Sequence, residues 1–288
     1  MKITFTKLQG LGNDFVLIDD LEKPPGLVHH FSPEQIRLIC DRHFGVGCDQ
    51  MIRLRSLDSA VSAKGAPIAC RVEFFNADGS NAEMCGNGIR AAAHYLVRHQ
   101  AKVLPGDDEH FVCETLAGLI EIERVTKTGE QDDFFSVNMG RSRLDSPNGW
   151  LKPEELILNG KRYSYLLVQM GVPHCVIFGA SWPEKEVRDV GPVIEIHPRF
   201  LRQTNVDFVE VLSRGKIRVQ VWERGAGYTL ACGTGACASV VAAIQTGQCD
   251  SKVEVELPGG VLQIEFDGDT VTMVGPAKEV FRGEIDIG

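Results

Sequence analysis

Met84-Cys85-Gly86-Asn87-Gly88-Ile89 and Ala231-Cys232-Gly233-Thr234-Gly235-Ala236 carry one pattern, Cys-Gly-x-Gly leading into an apolar run. Each reads as a glycine-rich turn that opens a helix. In the second helix, Ala236, Cys237, Ala238, Val240, Val241, Ala242, Ala243 and Ile244 leave almost no polar face. Such a helix is expected to be buried all round, and Gly247 is its expected stop. The first helix is more mixed, with Ile89, Ala92, Ala93, Leu96 and Val97 as one apolar stripe. One such helix in each half of the chain points to a duplicated fold that brings two thiols to one cleft.

The surrounding sequence is strand-rich. Ile3–Leu8, Phe15–Asp19, Met51–Arg55, Cys70–Phe75, Leu119–Val125 and Phe134–Asn138 are β-branched or aromatic runs. The second half repeats the habit at Tyr163–Gln169, Cys175–Phe178, Val206–Val211, Lys216–Trp222, Val253–Leu257, Leu262–Phe266 and Thr270–Val274. A further helix starts at Ser32-Pro33-Glu34-Gln35, with Ser32 as N-cap and Gln35 closing a capping box. Many antiparallel strands with few helices predict an α+β fold, each half a sheet wrapped around its central helix.

Other landmarks recur in order. Gly12-Asn13-Asp14-Phe15-Val16-Leu17 has a counterpart in Gly171-Val172-Pro173-His174-Cys175-Val176, and Arg42–Asp49 more loosely resembles Phe200–Asp207. The polar turn Lys127–Asp133 is the expected boundary between the halves.

Composition narrows the function. The chain has 288 residues, 43% hydrophobic and 24% charged, which suits a protein of two domains with full cores. The net charge of -9 argues against nucleic acid and anionic membrane partners. The first residues lack the apolar core of a signal peptide, and no run is long enough to span a bilayer, so a cytoplasmic location is expected. The nine cysteines form no metal-ligand spacing and no disulfide framework.

Cys85 and Cys232 stand out by their setting. A cysteine at a helix N-terminus meets the positive end of the helix dipole and unpaired amides, which favour thiolate. The glycines let a ligand approach those amides, an anion site suited to a carboxylate. Two thiols on opposite sides of an α-carbon can remove a proton from one face and return one to the other. Charge pushed onto the substrate carboxylate would be stabilised by the same amides, without metal or pyridoxal phosphate. A purely structural glycine turn is the plain alternative for either copy alone. A dinucleotide site is another, because Gly233–Ala238 fits G-x-G-x-x-A with Glu254 or Glu256 downstream. It is set aside because few helices alternate with strands in a parallel βαβ pattern.

Nearby residues suit the same chemistry. Asn76 and Glu223 stand at equivalent places ahead of the two cysteines. Arg224 is suited to clamp a second carboxylate, although a surface Arg–Glu pair is the simpler reading. Asn13, Gln50 and Asn205 sit where loops meet strands, and His174 is placed to tune a thiol.

Gly10–Phe15, Phe75–Ser80, Met84–Gly88, Glu223–Gly227 and Ala231–Cys237 together resemble the diaminopimelate epimerase family, over essentially the whole chain. The related proline racemases have His where this chain has Asn87. The resemblance implies two pseudo-symmetric halves, each a barrel-like sheet around a helix, with the active site in the cleft between them. It implies halves at 1–137 and 138–276, with a last strand at 277–288 returning to the first. It also implies cofactor-free interconversion of LL- and meso-2,6-diaminopimelate, for lysine and peptidoglycan precursors. By motif, Cys85 and Cys232 match the acid/base pair. Asn13, Gln50, Asn76, Val172, Asn205, Glu223 and Arg224 match substrate-contacting positions, and Gly86, Asn87, Gly233 and Thr234 match the anion cradle. His174 and Glu223 match thiol-tuning positions, and Phe281 matches a contact of the family's homodimer. Two departures stand out. Val172 replaces the usual Asn that helps hold the distal end of the substrate, and Tyr228 stands where Glu is common. The alternatives are a racemase of another amino acid and a non-catalytic amino-acid binding protein.

Overall fold

The computed structural model describes residues 1–24, 27–57, 68–104, 109–126, 132–144 and 153–288. Most of the expected Lys127–Asp133 boundary lies outside the described residues. The elements run in chain order as β1 (Lys2–Gly10), β2 (Asn13–Asp20), α1 (Pro33–Cys40), β3 (Gln50–Arg55), β4 (Ile68–Asn76), β5 (Asn81–Ala82) and α2 (Gly86–His99). Next come β6 (His110–Thr115), β7 (Gly118–Val125), β8 (Asp133–Arg141), β9 (Arg143–Leu144), β10 (Glu154–Leu158), β11 (Lys161–Met170) and β12 (Val172–Phe178). The series ends with α3 (Glu184–Glu195), β13 (Asn205–Ser213), β14 (Lys216–Glu223), β15 (Gly227–Thr229), α4 (Gly233–Gln245), β16 (Lys252–Leu257), β17 (Gly260–Phe266) and β18 (Thr270–Asp286). They form two compact units, Met1–Val137 with Gly275–Gly288, and Asn138–Val274.

In the first unit the pairings β1–β2, β2–β3, β3–β4, β4–β6, β6–β7, β7–β8, β8–β18 and β18–β1 close a ring. Helix α2 packs against β1, β2, β3 and β4 as its core. Strand β2 is buried on both faces from Phe15 to Ile18, which explains its unbroken apolar run. Strand β7 alternates instead, with Ile120 and Ile122 inward and Glu121 and Glu123 outward.

The second unit follows the same plan. Its strands pair as β11–β12, β12–β13, β13–β14, β14–β16, β16–β17 and β17–β18, around α4. In each unit the second strand runs parallel to the one after the outer helix (β2 with β3, β12 with β13). In each, too, the strands before and after the central helix are parallel (β4 with β6, β14 with β16).

These registers correct the looser half of the repeat. Phe15 pairs with Gln50, and His174 with Asn205, so Gln50 and Asn205 are the equivalent residues, rather than Asp49 and Asp207. They also correct the ground for dismissing a dinucleotide site, since β14-α4-β16 is a parallel βαβ unit. What separates it from such a site is its company. The neighbours β13 and β17 run antiparallel, and Glu254 and Glu256 are tied to Lys216 at 2.9 and 2.6 Å.

Helix α1 begins as expected. Ser32 Oγ accepts from the Gln35 amide at 3.3 Å, and Gln35 Oε1 accepts from the Ser32 amide at 3.0 Å. Helix α3 has no comparable signal: Pro192 lies inside it, and Pro183 at its start offers no capping side chain. The stripe expected on α2 proves too narrow, because Arg90, Ala91 and His94 on its other sides are buried as well. All nine cysteines are free thiols.

Candidate active site

Each motif cysteine is the N-cap of its central helix. Cys85 has β-region backbone, and its Sγ accepts from the Gly88 amide at 3.4 Å. Cys232 matches it, accepting from the Gly235 amide at 3.3 Å. A thiol thereby does what a Ser or Asp does at an ordinary N-cap. The last position of each motif must be glycine for reasons of packing. A Cβ on Gly88 would come within 2.7 Å of the Phe74 ring, and one on Gly235 within 2.5 Å of Asp207 Oδ1. Close approach to the barrel wall explains these two glycines, rather than access for a ligand.

Around Cys85 the side chains are uncharged amides wired together. Asn13 Oδ1 accepts from Asn87 Nδ2 at 3.2 Å and lies 3.8 Å from the thiol. Asn13 Nδ2 donates to Asp49 at 2.7 Å. Gln50 Nε2 donates to Asn76 Oδ1 at 2.9 Å, and Asn76 Nδ2 donates to Ser80 at 3.0 Å. The parallel register of β2 with β3 brings Asn13 and Gln50 to the same end of the barrel. The antiparallel pairing of Gln50 with Asn76 adds the third amide.

The Cys232 setting is acidic. Glu223 ends β14, and its Oε1 accepts from Thr229 Oγ1 at 2.6 Å. Burial raises the Glu223 carboxyl above its usual range, against hydrogen bonds from Thr229 and Cys232. Thr234 Oγ1 lies 3.4 Å from Cys232 Sγ. His174 is fully buried, and its Nδ1 lies 2.8 Å from Asp207 Oδ2. The Cys232 thiol is pushed well above its ordinary value, first by burial and then by the Glu223 and Asp207 carboxylates. The expected lowering by the helix terminus is thus reversed at Cys232. Dipole and amide contributions are smaller than the desolvation of a thiolate beside two carboxylates.

Asn205 Oδ1 accepts from the Arg224 amide at 2.9 Å, while its Nδ2 donates to Pro173 O at 3.2 Å. The Arg224 guanidinium is exposed, donates to Arg202 O at 3.0 Å and has no ion-pair partner among the described residues. Val172 pairs with Met170 across the β11–β12 turn, half-buried and without a polar group to offer. Tyr228 lies under the Arg188 guanidinium, 4.3 Å from ring centroid to Cζ, and donates to Gln220 at 3.2 Å. Phe281 is half-exposed on β18, edge-on to Phe5.

Three contributors escape the motif reading. Asp49 orients Asn13. Arg90 braces Asn87, donating to its Oδ1 at 2.9 Å. Asp207 holds His174. For Asp207 the available signal is alternation, since on β13 it shares a face with Asn205. Arg90 carries no such signal, because a charged residue in a helix usually marks the solvent face.

A thiol at the tip of a buried helix, repeated in two units of one topology, makes this a two-unit α+β protein whose fold is shared by solved racemases and epimerases. Solved structures of that fold include a probable proline racemase from Agrobacterium radiobacter K84, 12% identical over 99% of this chain and 93% of its own, TM-score 0.70. A hydroxyproline epimerase from Agrobacterium vitis is 12% identical over 99% of this chain and 92% of its own, TM-score 0.71. Within that class the assignment is sharper. The diaminopimelate epimerase family profile matches residues 5–144 and 166–280. Diaminopimelate epimerases from Synechococcus sp. (strain JA-3-3Ab) and Leptospira biflexa are 43% and 39% identical. The alignments cover 98% of both chains in the first case and 100% in the second. The chain belongs to the diaminopimelate epimerase family, which places it among the isomerases.

Proposed function

We propose that the protein interconverts LL- and meso-2,6-diaminopimelate by two-base thiol chemistry without a cofactor. One thiolate removes the α-proton, and the other cysteine delivers a proton to the opposite face. The observation that carries this reading is the repeated thiol N-cap, Cys85 and Cys232, in a member of this family. As the α-proton leaves, charge develops on the substrate carboxylate. The helix-terminal amides at Gly86-Asn87 and Gly233-Thr234 are the groups suited to receive it.

The raised proton affinity of Cys232 supports a starting state in which it carries its proton. Asn13, Gln50, Asn76, Asn205, Glu223 and Arg224 are assigned to hold the substrate. Arg224 suits the distal carboxylate, since its guanidinium is exposed and without an ion-pair partner among the described residues. His174 and Glu223 tune the thiol chemistry. The expected setting is the cytoplasm, in lysine and peptidoglycan precursor synthesis, as a homodimer with Phe281 at its contact.

The test is proton NMR in deuterium oxide, with purified reduced protein and LL-diaminopimelate. Exchange of the α-proton and appearance of the meso isomer are expected without any addition. Binding without exchange would instead identify an amino-acid binding protein. Val172 favours one further reading, a racemase with relaxed demands on the distal end. Faster turnover of glutamate or proline than of diaminopimelate would establish it.

A further inference from the structure

The second thiol rests on a buried pair that cysteine chemistry does not by itself require. His174 and Asp207 are both fully buried, with Nδ1 of the ring 2.8 Å from Oδ2 of the carboxylate. They stand on the neighbouring parallel strands β12 and β13. A carboxylate only accepts, so Nδ1 carries the hydrogen. In the neutral ring Nε2 is then the bare nitrogen, and it is buried with no hydrogen-bond partner among the described residues. The other carboxylate oxygen, Asp207 Oδ1, is likewise buried and without a partner among the described residues. That oxygen occupies the space a Cβ on Gly235 would need. The amide of Gly235 is the one that seats the Cys232 sulfur. Polar atoms left unpaired inside a fold are few, and each calls for a reason.

We propose that Asp207 is the positioning residue of the second thiol site: one oxygen holds the His174 ring with Nε2 bare, and the other fills the space beneath the turn that seats Cys232. The inference rests on the epimerase reading and deepens it. The titratable groups around Asp207 are His174 and Cys175 on β12, Glu223 on β14 and Cys232 at the head of α4. Its carboxylate therefore acts on two levels. It selects the ring tautomer by hydrogen bonding, and it adds negative potential at Cys232.

Two measurements decide it. The first needs no variant and no turnover: imidazole nitrogen chemical shifts of His174 in the folded wild-type protein at pH 8. A protonated Nδ1 with a bare Nε2 is expected, and the opposite tautomer overturns the proposal. The second is Asp207→Asn, which keeps the size but can present an N–H to the ring and invert its tautomer. By analogy with the carboxylate-to-amide change in a serine-protease triad, a loss in kcat on the order of 10²-fold or more is expected. KM should stay within about threefold and the pH profile should move, changes that a merely space-filling Asp207 would not produce. Wild-type kcat and an unmoved profile in a folded Asp207→Asn overturn the proposal. If the wild-type protein itself exchanges no α-proton, the epimerase reading fails, and the tautomer alone decides the role of Asp207.

Discussion

Arg90 Nη2 donates to Asn87 Oδ1 at 2.9 Å, and both side chains are buried in the first turns of α2. The same guanidinium reaches the Gly86 and Pro276 carbonyls at 3.4 Å each. A planar fork with five donors can bind several acceptors at once, which a lysine cannot match. Arg90 thereby ties the turn beside Cys85 to β18. Its counterpart by position in the second helix is Cys237, so this brace belongs to the first thiol alone.

Arg90→Met keeps the length and the apolar stem but takes the donor from Asn87 Oδ1 and from the Pro276 carbonyl, while Gly86 O keeps its helix bond. An unsatisfied buried acceptor costs about 1–3 kcal/mol, so a loss of about 1–3 kcal/mol in urea unfolding is expected after partial relaxation. Loss of the brace on Asn87, which then keeps its bond to Asn13, should also raise KM for the substrate. Unchanged stability would show that the brace is dispensable.

Cys85→Ala and Cys232→Ala are each expected to lower epimerisation by at least about 10³-fold, because the proposed two-base mechanism needs one thiol for each face. Each also removes an N-cap acceptor, at a cost of about 1 kcal/mol in stability. Circular dichroism should therefore still report a folded protein. Appreciable turnover by either variant refutes the two-base mechanism.

Glu223→Gln tests the electrostatics of the second site. Burial, and then the Glu223 and Asp207 charges, hold the Cys232 thiol in its protonated form. Removing one carboxylate shifts that balance toward thiolate. Iodoacetamide should therefore label Cys232 faster in Glu223→Gln than in wild type between about pH 7 and 9, as followed by peptide mass spectrometry. Slower labelling would reverse the assigned sign.

Asp14 predicts an acid limb in the stability curve. Burial by itself would raise its carboxyl, but Arg42 at 2.8 Å and Lys7 at 2.5 Å overcome that and lower it from 3.8 to about 2. Because the folded value lies below the unfolded one, the contribution is complete above about pH 4 and is lost as pH falls through about 2. Its size is about 1–2 kcal/mol after solvent screening. Asp14→Asn should flatten the curve between about pH 4 and 2 while lowering stability at neutral pH.

Much of the architecture was legible in the residues. Apolar runs and glycine punctuation marked most strands, and Ser32 and Gln35 announced α1 through a purely local capping box. The longer strands passed over were His110–Thr115, with a charged end, and Glu154–Leu158, with outward-facing ends; the short β5, β9 and β15 were passed over too. Each of the longer two pairs with the strand just after it through a tight turn, β6 with β7 and β10 with β11, so a weak apolar pattern rather than distance hid them. Helix α3 was hidden by Pro192, which local rules read as a breaker.

The sequence alone determined the two thiol N-caps and the α+β class, because both rest on local patterns: glycine spacing ahead of an apolar run, and two-residue alternation. Only the tertiary structure decided the proton affinity of Cys232. That quantity depends on how thoroughly burial strips water from the sulfur and on carboxylates supplied by β13 and β14. Only the structure, too, decided that Gln50 matches Asn205 and that Arg90 points inward. Strand register and burial are settled by packing between residues distant in the chain, where no local pattern reaches.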